Sequence, residues 1–320
     1  MPSNPRVLVV RFGSLGDVVL ATPVLRAIRR RYPEAHLTVV TRSAYAELLG
    51  SNPAVTEVVG AESRESTARL VGRLGRERFD YGLDLQRSLT SLRLRGRVRT
   101  TWGLAPKARG ARLALLWTGD TSRSIPHATR RYFAAARPLG IEDDGGGPEL
   151  VLTEDDRSAA AGIAPAGCVA LAPGALWASK RWPPARWRDL GHRLAAAGHT
   201  VVAVGAAGER GLLDGPGIAA VYGAPLRVAA AVLARARVAV THDSGAMHLA
   251  AAVGTRVVAL HGPTVPALGF VPRGTRVEVV ECSLPCRPCS PFGSDECPLG
   301  HHRCMREIEP ATVAALVEAA

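Results

Sequence analysis

Residues 238–251 read Val-Ala-Val-Thr-His-Asp-Ser-Gly-Ala-Met-His-Leu-Ala-Ala, an apolar strand that runs through Asp243-Ser244-Gly245 directly into an Ala-rich helix. Ser244 is a favoured residue for capping that helix, and Gly245 lets another group approach the backbone. The unpaired N–H groups and the positive dipole end of a helix favour a phosphate or diphosphate. An ordinary strand-to-helix turn has the same pattern, so this segment alone leaves both interpretations open.

A second strand-to-helix junction lies near the N-terminus. The strand at residues 7–10 meets a glycine turn that contains Gly13, Ser14 and Gly16, and Asp17 opens the following helix. The turn lacks both the Lys-Ser/Thr pair of a Walker loop and the spacing of a dinucleotide fingerprint, which disfavours a nicotinamide cofactor. Asp17 is either a first-turn acid that interacts with the helix dipole or a functional carboxylate at the ligand-binding edge of a parallel sheet.

Strands and helices alternate through both halves of the chain, which predicts an α/β fold. Because 320 residues are more than a domain with a single hydrophobic core usually contains, two domains are expected. The glycine-rich residues 140–148 would link them, with domains at residues 1–147 and 148–308 and a closing helix at 309–320. Strand patterns occur at residues 7–10, 37–41, 56–59, 81–85 and 98–102, then at 168–172, 200–204, 219–222, 238–241 and 257–261.

The net charge of +12 suits a protein that handles anionic partners. Nucleic acid is disfavoured, since only 5% of residues are aromatic and no nucleic-acid-binding module is recognisable. An anionic lipid surface or a phosphorylated acceptor fits better. No stretch resembles a membrane span or a secretion signal, so we expect a cytoplasmic protein.

A Pro-Gly turn after the strand at residues 168–172 precedes Lys180 and Arg181. A cation at the end of a strand can neutralise a diphosphate leaving group, and its effect is larger in a closed, water-poor cleft than at an exposed surface. The alternative is a solvated loop charge. We favour a functional role for Lys180 and leave Arg181 undecided.

Three segments in this order resemble glycosyltransferase family 9, the ADP-heptose:lipopolysaccharide heptosyltransferases: Arg11-Phe-Gly-Ser-Leu-Gly-Asp17, Pro173-Gly-Ala with Lys180-Arg-Trp-Pro183, and Asp243-Ser-Gly-Ala-Met-His-Leu-Ala250. The resemblance spans nearly the whole chain. It implies the GT-B architecture, in which two Rossmann-like domains with parallel sheets face a central cleft. The N-terminal domain would bind the acceptor, the C-terminal domain would bind the nucleotide sugar, and the last helix would return to the other domain.

The resemblance also implies roles for individual residues. Asp17 matches the general base, which takes a proton from the acceptor hydroxyl as that oxygen attacks the anomeric carbon with inversion. Lys180 matches the lysine that contacts the nucleotide phosphate, and Glu209 looks like the acid that reaches the ribose, although an acid at a helix start would look identical. The segment that wraps the diphosphate sugar matches Asp243, Ser244, Gly245, Ala246 and His248. His248 is alternatively a packed core histidine that orients the loop.

Ala175 and Leu176 stand where some heptosyltransferases have hydroxyl residues, which places the chain nearer the second heptosyltransferase type. The leading hypothesis is an inverting, metal-independent enzyme that transfers heptose from ADP-heptose to the phosphorylated lipopolysaccharide inner core. It would act at the cytoplasmic face of the inner membrane, in peripheral contact with the anionic surface. One alternative is another nucleotide sugar or acceptor, including a protein; another is a nucleotide-sugar-binding protein without turnover, which the presence of both Asp17 and Lys180 disfavours.

Five of the six cysteines lie within residues 282–304, and Cys168 stands alone in a predicted core strand. Cys286 and Cys289 form a C-x-x-C knuckle that Cys297 and Cys304, or His301 and His302, could complete as a tetrahedral structural zinc site. Disulfides, an iron–sulfur cluster and free thiols remain alternatives. Catalysis itself would need no cofactor.

Overall fold

Alternating strands and helices build two units in a computed structural model that describes residues 2–62 and 64–320, apart from the side chains of residues 64–66. The first unit comprises the chain up to Lys107 together with His127–Val151. The second unit comprises Ala108–Pro126 and Leu152–Ala320. Each unit contains its own parallel sheet, with helices in the connections between strands. The predicted α/β class is confirmed.

The sheet of the first unit has five parallel strands in the order β3-β2-β1-β4-β5. Its strands are β1 Arg6–Val10, β2 His36–Arg42, β3 Glu57–Ala61, β4 Tyr81–Asp84 and β5 Thr101–Leu104. Its helices are α1 Leu15–Val19, α2 Thr22–Arg31, α3 Ser43–Ala46, α4 Arg64–Leu74, α5 Leu89–Arg97 and α7 Ala128–Ala136. Helix α6, Arg109–Thr118, belongs to the second unit. The strand order reverses at β1, where open α/β sheets bind ligands, and the glycine turn leaves β1 at this point.

The sheet of the second unit has six parallel strands in the order β11-β10-β9-β6-β7-β8. Its strands are β6 Cys168–Ala172, β7 Val201–Gly205, β8 Ile218–Tyr222, β9 Ala236–His242, β10 Arg256–His261 and β11 Val277–Glu281. Its helices are α6 Arg109–Thr118, α8 Glu154–Ala161, α9 Pro184–Ala196, α10 Leu226–Arg235, α11 Gly245–Ala252, α12 Arg303–Arg306 and α13 Pro310–Glu318. The strand order reverses between β6 and β9, so the segments after these two strands meet at one sheet edge.

The unit boundaries differ from the expected division at residues 147 and 148. Helix α6 belongs to the second unit because Leu115 packs with Ile125, Val265 and Leu268 in one apolar cluster. Residues 140–148 are not a free linker, since Arg26 on α2 forms ion pairs with Asp144 and Glu149. Burial and pairing, rather than position along the chain, determine which unit each segment joins.

The core of the second unit is centred on Trp182 and Trp187, whose rings meet edge to face at 5.2 Å between centroids. The indole N–H of Trp182 donates to the Ile308 carbonyl at 3.1 Å. Helix α13 packs against α9 and buries Val313 and Val317 in this core. The closing helix is thus part of the second unit, which differs from the expectation that it returns to the first domain.

Within the described ranges, no helix combines the length and the apolar character that crossing a bilayer requires.

We predict that Gly103→Ala destabilises the first unit. A Cβ at Gly103 on β5 would lie 1.9 Å from the carbonyl oxygen of Ala135 on α7. Such overpacking costs about 1–3 kcal/mol in the free energy of unfolding, measured by urea denaturation. Gly96→Ala on α5 is the control, because a Cβ there meets nothing within 4 Å. Unchanged stability of the Gly103 variant would contradict this packing.

Candidate active site

Asp17, the predicted base, lies on α1 in a network of three partners from the first unit. The Arg11 guanidinium contacts Oδ2 at 2.5 Å, and the Tyr132 hydroxyl donates to Oδ1 at 2.9 Å. Ser14 precedes the helix as its N-cap and donates to Oδ2 through its backbone N–H at 3.1 Å and its hydroxyl at 3.0 Å. The carboxylate is therefore held at both oxygens.

This network determines the charge of Asp17. Burial alone would raise the pKa of the carboxyl, but the Arg11 charge and the hydrogen bonds from Tyr132 and Ser14 outweigh burial and lower the pKa below its usual value. Asp17 is consequently ionised at neutral pH. Oδ2 already accepts from Arg11 and twice from Ser14, whereas Oδ1 accepts from Tyr132. Oδ1 thus retains capacity to accept a proton or hydrogen bond from a substrate hydroxyl.

Arg11 is fixed as firmly as the carboxylate that it pairs with. Its Nη1 donates to the Leu85 carbonyl beyond β4 at 2.6 Å, and its guanidinium lies 5.4 Å from the centroid of the Tyr132 ring. Burial and the nearby Asp17 carboxylate raise the pKa of the Tyr132 phenol, so Tyr132 stays a hydrogen-bond donor. Arg11 and Tyr132 together restrict the orientation of the base.

The glycine turn of Gly13, Ser14 and Gly16 passes close to its neighbours. A Cβ on Gly13 would lie 3.2 Å from the Tyr45 ring, and Gly16 is buried at the start of α1. The Gly13 N–H points to Gln86 Oε1 at 3.4 Å. The turn therefore brings the backbone and Asp17 together at the carboxyl end of β1.

In the second unit, Lys180 and Asp243 form a buried ion pair. Lys180 follows the Pro-Gly turn after β6, and its Nζ donates to Asp243 Oδ2 at 2.7 Å and to the Asp243 carbonyl at 3.0 Å. The Thr264 hydroxyl also donates to Oδ2 at 2.8 Å. Burial would raise the pKa of Asp243, yet the charges of Lys180 and His261 and these hydrogen bonds lower it strongly. Asp243 is therefore ionised and acts as the counter-charge of Lys180.

Helix α11 begins beside this ion pair. Ser244 is its N-cap residue in extended conformation, and the Ser244 hydroxyl makes no capping bond. Its Oγ is buried without a hydrogen-bond partner among the described residues. Gly245 and Ala246, half-buried, form the first helical turn. Backbone N–H groups, a hydroxyl and the Lys180 ammonium thus gather at one place, which suits an anionic ligand.

Glu209 lies at the same edge of the second sheet. It ends the 3₁₀ turn Ala207–Glu209 after β7, and its Oε2 accepts from the Ala206 N–H at 2.8 Å. A Cβ on Gly174 would lie 1.9 Å from Glu209 Oε1. Only glycine at position 174 allows this approach, so Glu209 lies against the turn that leads to Lys180.

Two histidines support these loops from within. His242 ends β9, accepts a hydrogen bond from the Trp182 N–H at 2.8 Å through Nε2, and donates through Nδ1 to the Gly174 carbonyl at 3.2 Å. Burial lowers the pKa of His242 to about 4, so the ring is neutral and connects the Pro-Gly turn to β9. His248 is buried on α11. Its role as a ligand residue stays a prediction.

The cysteine-rich segment contains free thiols. None of the six cysteines forms a disulfide in the part of the chain that the structure describes. Cys286 Sγ lies 3.9 Å from His301 Nε2, and burial together with neighbouring thiols raises the pKa of Cys304 to about 11. Among residues 2–62 and 64–320, no three Cys, His, Asp or Glu side chains are arranged to hold a metal ion. A zinc site at Cys286, Cys289, Cys297 and Cys304 stays a prediction without geometric support.

Several residues of these sites carried no recognised sequence signal. Tyr132 is 115 positions from Asp17 and lies on α7, so local spacing cannot reveal its contact. Thr264 follows β10 and reaches Asp243 across the sheet edge. Arg11 had a signal, because it is the first polar residue after the apolar strand β1 and therefore had to emerge at the ligand-binding edge.

Residues 67–300 match the model of "Glycosyltransferase family 9 (heptosyltransferase)". The chain is 32% identical to lipopolysaccharide heptosyltransferase 1 of Pseudomonas aeruginosa over 89% of its length and 86% of that protein. It is 25% identical to lipopolysaccharide heptosyltransferase 2 of Escherichia coli over 82% of its length and 84% of that protein. Relatives of both types match, so the type stays open.

Solved structures show the same fold. E. coli ADP-heptose lipopolysaccharide heptosyltransferase II matches with a TM-score of 0.76 and 23% identity, covering 98% of both chains. E. coli heptosyltransferase WaaC with ADP-2-deoxy-2-fluoro heptose matches with a TM-score of 0.70 and 20% identity, covering 98% of this chain and 99% of that one. These similarities confirm the predicted fold class.

We predict that Arg11→Met raises the pKa of Asp17. Without the guanidinium, burial disfavours the carboxylate and the pKa rises by about 1–3 units. Because the wild-type pKa is lowered, the carboxylate stabilises the fold at neutral pH, and this stabilisation is lost as pH falls through the folded pKa. The measurement is a ¹³C NMR titration of the Asp17 carboxyl, assigned with Asp17→Asn.

Tyr132→Phe provides a milder version of the same test. It removes one hydrogen bond but keeps the ring and Arg11, so a smaller upward shift in the pKa of Asp17 is expected. A pKa unchanged in both variants would show that neither group controls the charge of Asp17.

Proposed function

Because the chain belongs to glycosyltransferase family 9, the heptosyltransferase family, we propose that it transfers a heptose from ADP-heptose to the inner core of lipopolysaccharide with inversion at the anomeric carbon. The observation that carries this proposal is the ionised, doubly held Asp17 with capacity left on Oδ1. The matched relatives are lipopolysaccharide heptosyltransferases, and one structural neighbour contains an ADP-heptose analogue.

The second unit would bind the donor. In this proposal the ADP diphosphate lies at the N-terminus of α11, where it receives N–H groups, the Ser244 hydroxyl and the charge of Lys180. As the bond from the anomeric carbon to the diphosphate breaks, negative charge grows on the leaving oxygen. Lys180 and the helix dipole stabilise that charge, which lowers the barrier. Glu209 is proposed to accept hydrogen bonds from the ribose hydroxyls.

Asp17 of the first unit would activate the acceptor. A hydroxyl of the inner core donates its proton to Oδ1 while its oxygen forms a bond with the anomeric carbon, and ADP leaves from the opposite face. One displacement of this kind inverts the configuration. The low pKa makes Asp17 a weak base towards a free hydroxyl, but that hydroxyl becomes acidic as its bond to carbon forms, so proton transfer is favourable late in the step.

The central prediction is acceptor-dependent release of ADP. Purified protein with ADP-heptose is assayed with deacylated inner-core acceptors that either lack or already carry a first heptose. We expect release only with acceptor, and the preferred acceptor then assigns the heptosyltransferase type. Asp17→Asn should reduce kcat by at least about 100-fold with donor affinity near wild type, whereas Lys180→Ala should weaken both donor binding and turnover.

Three other results would change the proposal. Binding of ADP-heptose without release of ADP in the presence of any acceptor would indicate a nucleotide-sugar-binding protein or a wrong acceptor class. Absence of binding would remove ADP-heptose as donor. Full activity of Asp17→Asn would remove Asp17 as the base.

We further propose that α6 brings the protein into peripheral contact with an anionic bilayer. One face of α6, formed by Gly110, Leu113, Ala114 and Trp117 at helical spacing, is apolar and exposed. Leu113 is 64% exposed and Trp117 is 87% exposed. The opposite face is anchored, because Leu115 is buried in its apolar cluster. An anchored helix with an exposed apolar face and a Trp side chain is typical of interfacial membrane binding.

Charge favours an anionic lipid surface as the occupant of this face. Between Asp84 and Asp120 the sequence has no acidic residue and eight basic ones: Arg87, Arg93, Arg95, Arg97, Arg99, Lys107, Arg109 and Arg112. Basic residues near a membrane surface contribute about 1 kcal/mol each to binding of anionic lipid. Arg109 and Arg112 lie on α6 itself, so this helix combines basic side chains with an apolar face and is complementary to anionic headgroups and acyl chains.

We predict that the protein floats with phosphatidylglycerol-containing vesicles but not with pure phosphatidylcholine vesicles, and that salt weakens binding. The double variant Leu113→Ser/Trp117→Ser should lose most of this binding, whereas the control Leu299→Ser, at a residue 63% exposed, should keep it. Equal flotation of the double variant would exclude α6 as the contact. A dimer that dissociates in the double variant would identify a second chain as the occupant.

A further inference from the structure

The cysteine-rich segment is packed against the donor loops of the second unit through one buried arginine. Arg287, between Cys286 and Cys289, has a side chain that is only 6% exposed. Its guanidinium donates to four backbone carbonyls and to one carboxylate. The acceptors are the carbonyls of Gly262 at 2.5 Å, Cys282 at 2.5 Å, Thr264 at 2.9 Å and His261 at 3.3 Å, and Glu281 Oε2 at 2.7 Å.

Three of these carbonyls lie at the last residue of β10 and in the loop that follows it, which together span residues 261–264. A loop with inward-facing carbonyls needs donors from outside itself, because an unpaired buried carbonyl is costly. Arg287 supplies those donors in a fixed planar arrangement. In addition, the Cys289 N–H donates to the Pro263 carbonyl at 3.1 Å. The cysteine-rich segment thus determines the conformation of this loop.

The loop in turn contacts the donor ion pair. Thr264 accepts from Arg287 with its carbonyl and donates with its hydroxyl to Asp243 Oδ2. The same oxygen receives Lys180 Nζ. A continuous set of hydrogen bonds therefore runs from Arg287 through Thr264 to Asp243 and Lys180.

The same segment also fixes the turn that carries Lys180. The Ser179 N–H donates to the Ser294 carbonyl at 3.0 Å, and the Ser294 N–H donates to the Ser179 hydroxyl at 2.8 Å. His302 Nε2 donates to the Ser179 carbonyl at 2.8 Å. Both donor loops, on either side of the ion pair, are thus connected to the cysteine-rich segment.

We infer that Arg287 is a positioning residue of the donor site, which sets the Asp243–Lys180 pair for a nucleoside diphosphate by fixing Thr264. This inference rests on the proposed function, since the proposed function assigns the diphosphate to Lys180. Lysine cannot replace Arg287, because an ammonium has three donors without the planar fork that reaches carbonyls on two sides. The effect reaches the ligand through Thr264 and Asp243, so it should appear in donor affinity.

The test measures ADP affinity by isothermal titration calorimetry and donor and acceptor kinetics for wild type, Arg287→Lys, Thr264→Val and the double variant. Arg303→Lys is the matched control, because Arg303 lies in the same segment but is half-exposed and pairs with Glu307. We expect Arg287→Lys to raise the Kd for ADP and the KM for donor about tenfold, with the KM for acceptor unchanged. Thr264→Val should act in the same direction, and Arg303→Lys should match wild type.

The double variant distinguishes positioning from general destabilisation. If Arg287 acts through Thr264, Arg287→Lys should change the Kd little further once Thr264 is Val, since residues in one network are not additive. Full additivity, or a lowered Tm with wild-type Kd, would overturn the inference. A wild type that binds no ADP would instead overturn the proposed function and this inference with it. If the wild type binds ADP and Arg287→Lys leaves the Kd for ADP unchanged, only the role of Arg287 is overturned.

Discussion

The donor site depends on the buried ion pair between Lys180 and Asp243. A lysine beside a helix N-terminus is repelled by the positive end of the dipole, so a counter-charge is needed to hold its side chain there. Asp243 holds the Lys180 side chain in place by accepting two hydrogen bonds from its Nζ, and Thr264 fixes the Asp243 carboxylate. An ammonium has three N–H groups, so the two that Asp243 uses leave one to donate to an arriving phosphate oxygen.

The first unit uses an arginine–carboxylate pair for a different chemical purpose. In the second unit the carboxylate maintains a cation for an anionic ligand; in the first, Arg11 maintains an anion as a base. The lowered pKa of Asp17 keeps the group ionised, at the cost of basicity towards a ground-state alcohol. This balance suits a reaction in which the proton leaves after bond formation has begun. Arg11 and Tyr132 also hold the Asp17 carboxylate in one orientation, which restricts the direction from which it accepts that proton.

Both sites lie at sheet edges where the order of the parallel strands reverses. The positions of several site residues at these edges could be predicted, because the strand-to-helix junctions have a local sequence pattern. Strands β1, β6 and β9 are short apolar runs, each followed by a glycine-containing turn and then by helical residues, so Asp17, Lys180 and Asp243 could be assigned to the carboxyl edge from local pattern. The edge strand β11 was missed, because its half-buried residues give a weaker signal than a fully buried strand. Helix α6 was assigned to the wrong unit, because chain order does not show which core buries Leu115.

The sequence alone determined the α/β class, the position of the strand-to-helix junctions and the chemical types at them, because hydrophobic period and turn residues are local properties. Only the tertiary structure identified Tyr132 as a partner of Asp17, Thr264 as a partner of Asp243, and Arg287 as the arginine that fixes the β10 loop. These contacts join residues 115, 21 and 23–26 positions apart. Such pairs depend on how crossovers bring strand ends together, and no local spacing encodes that geometry.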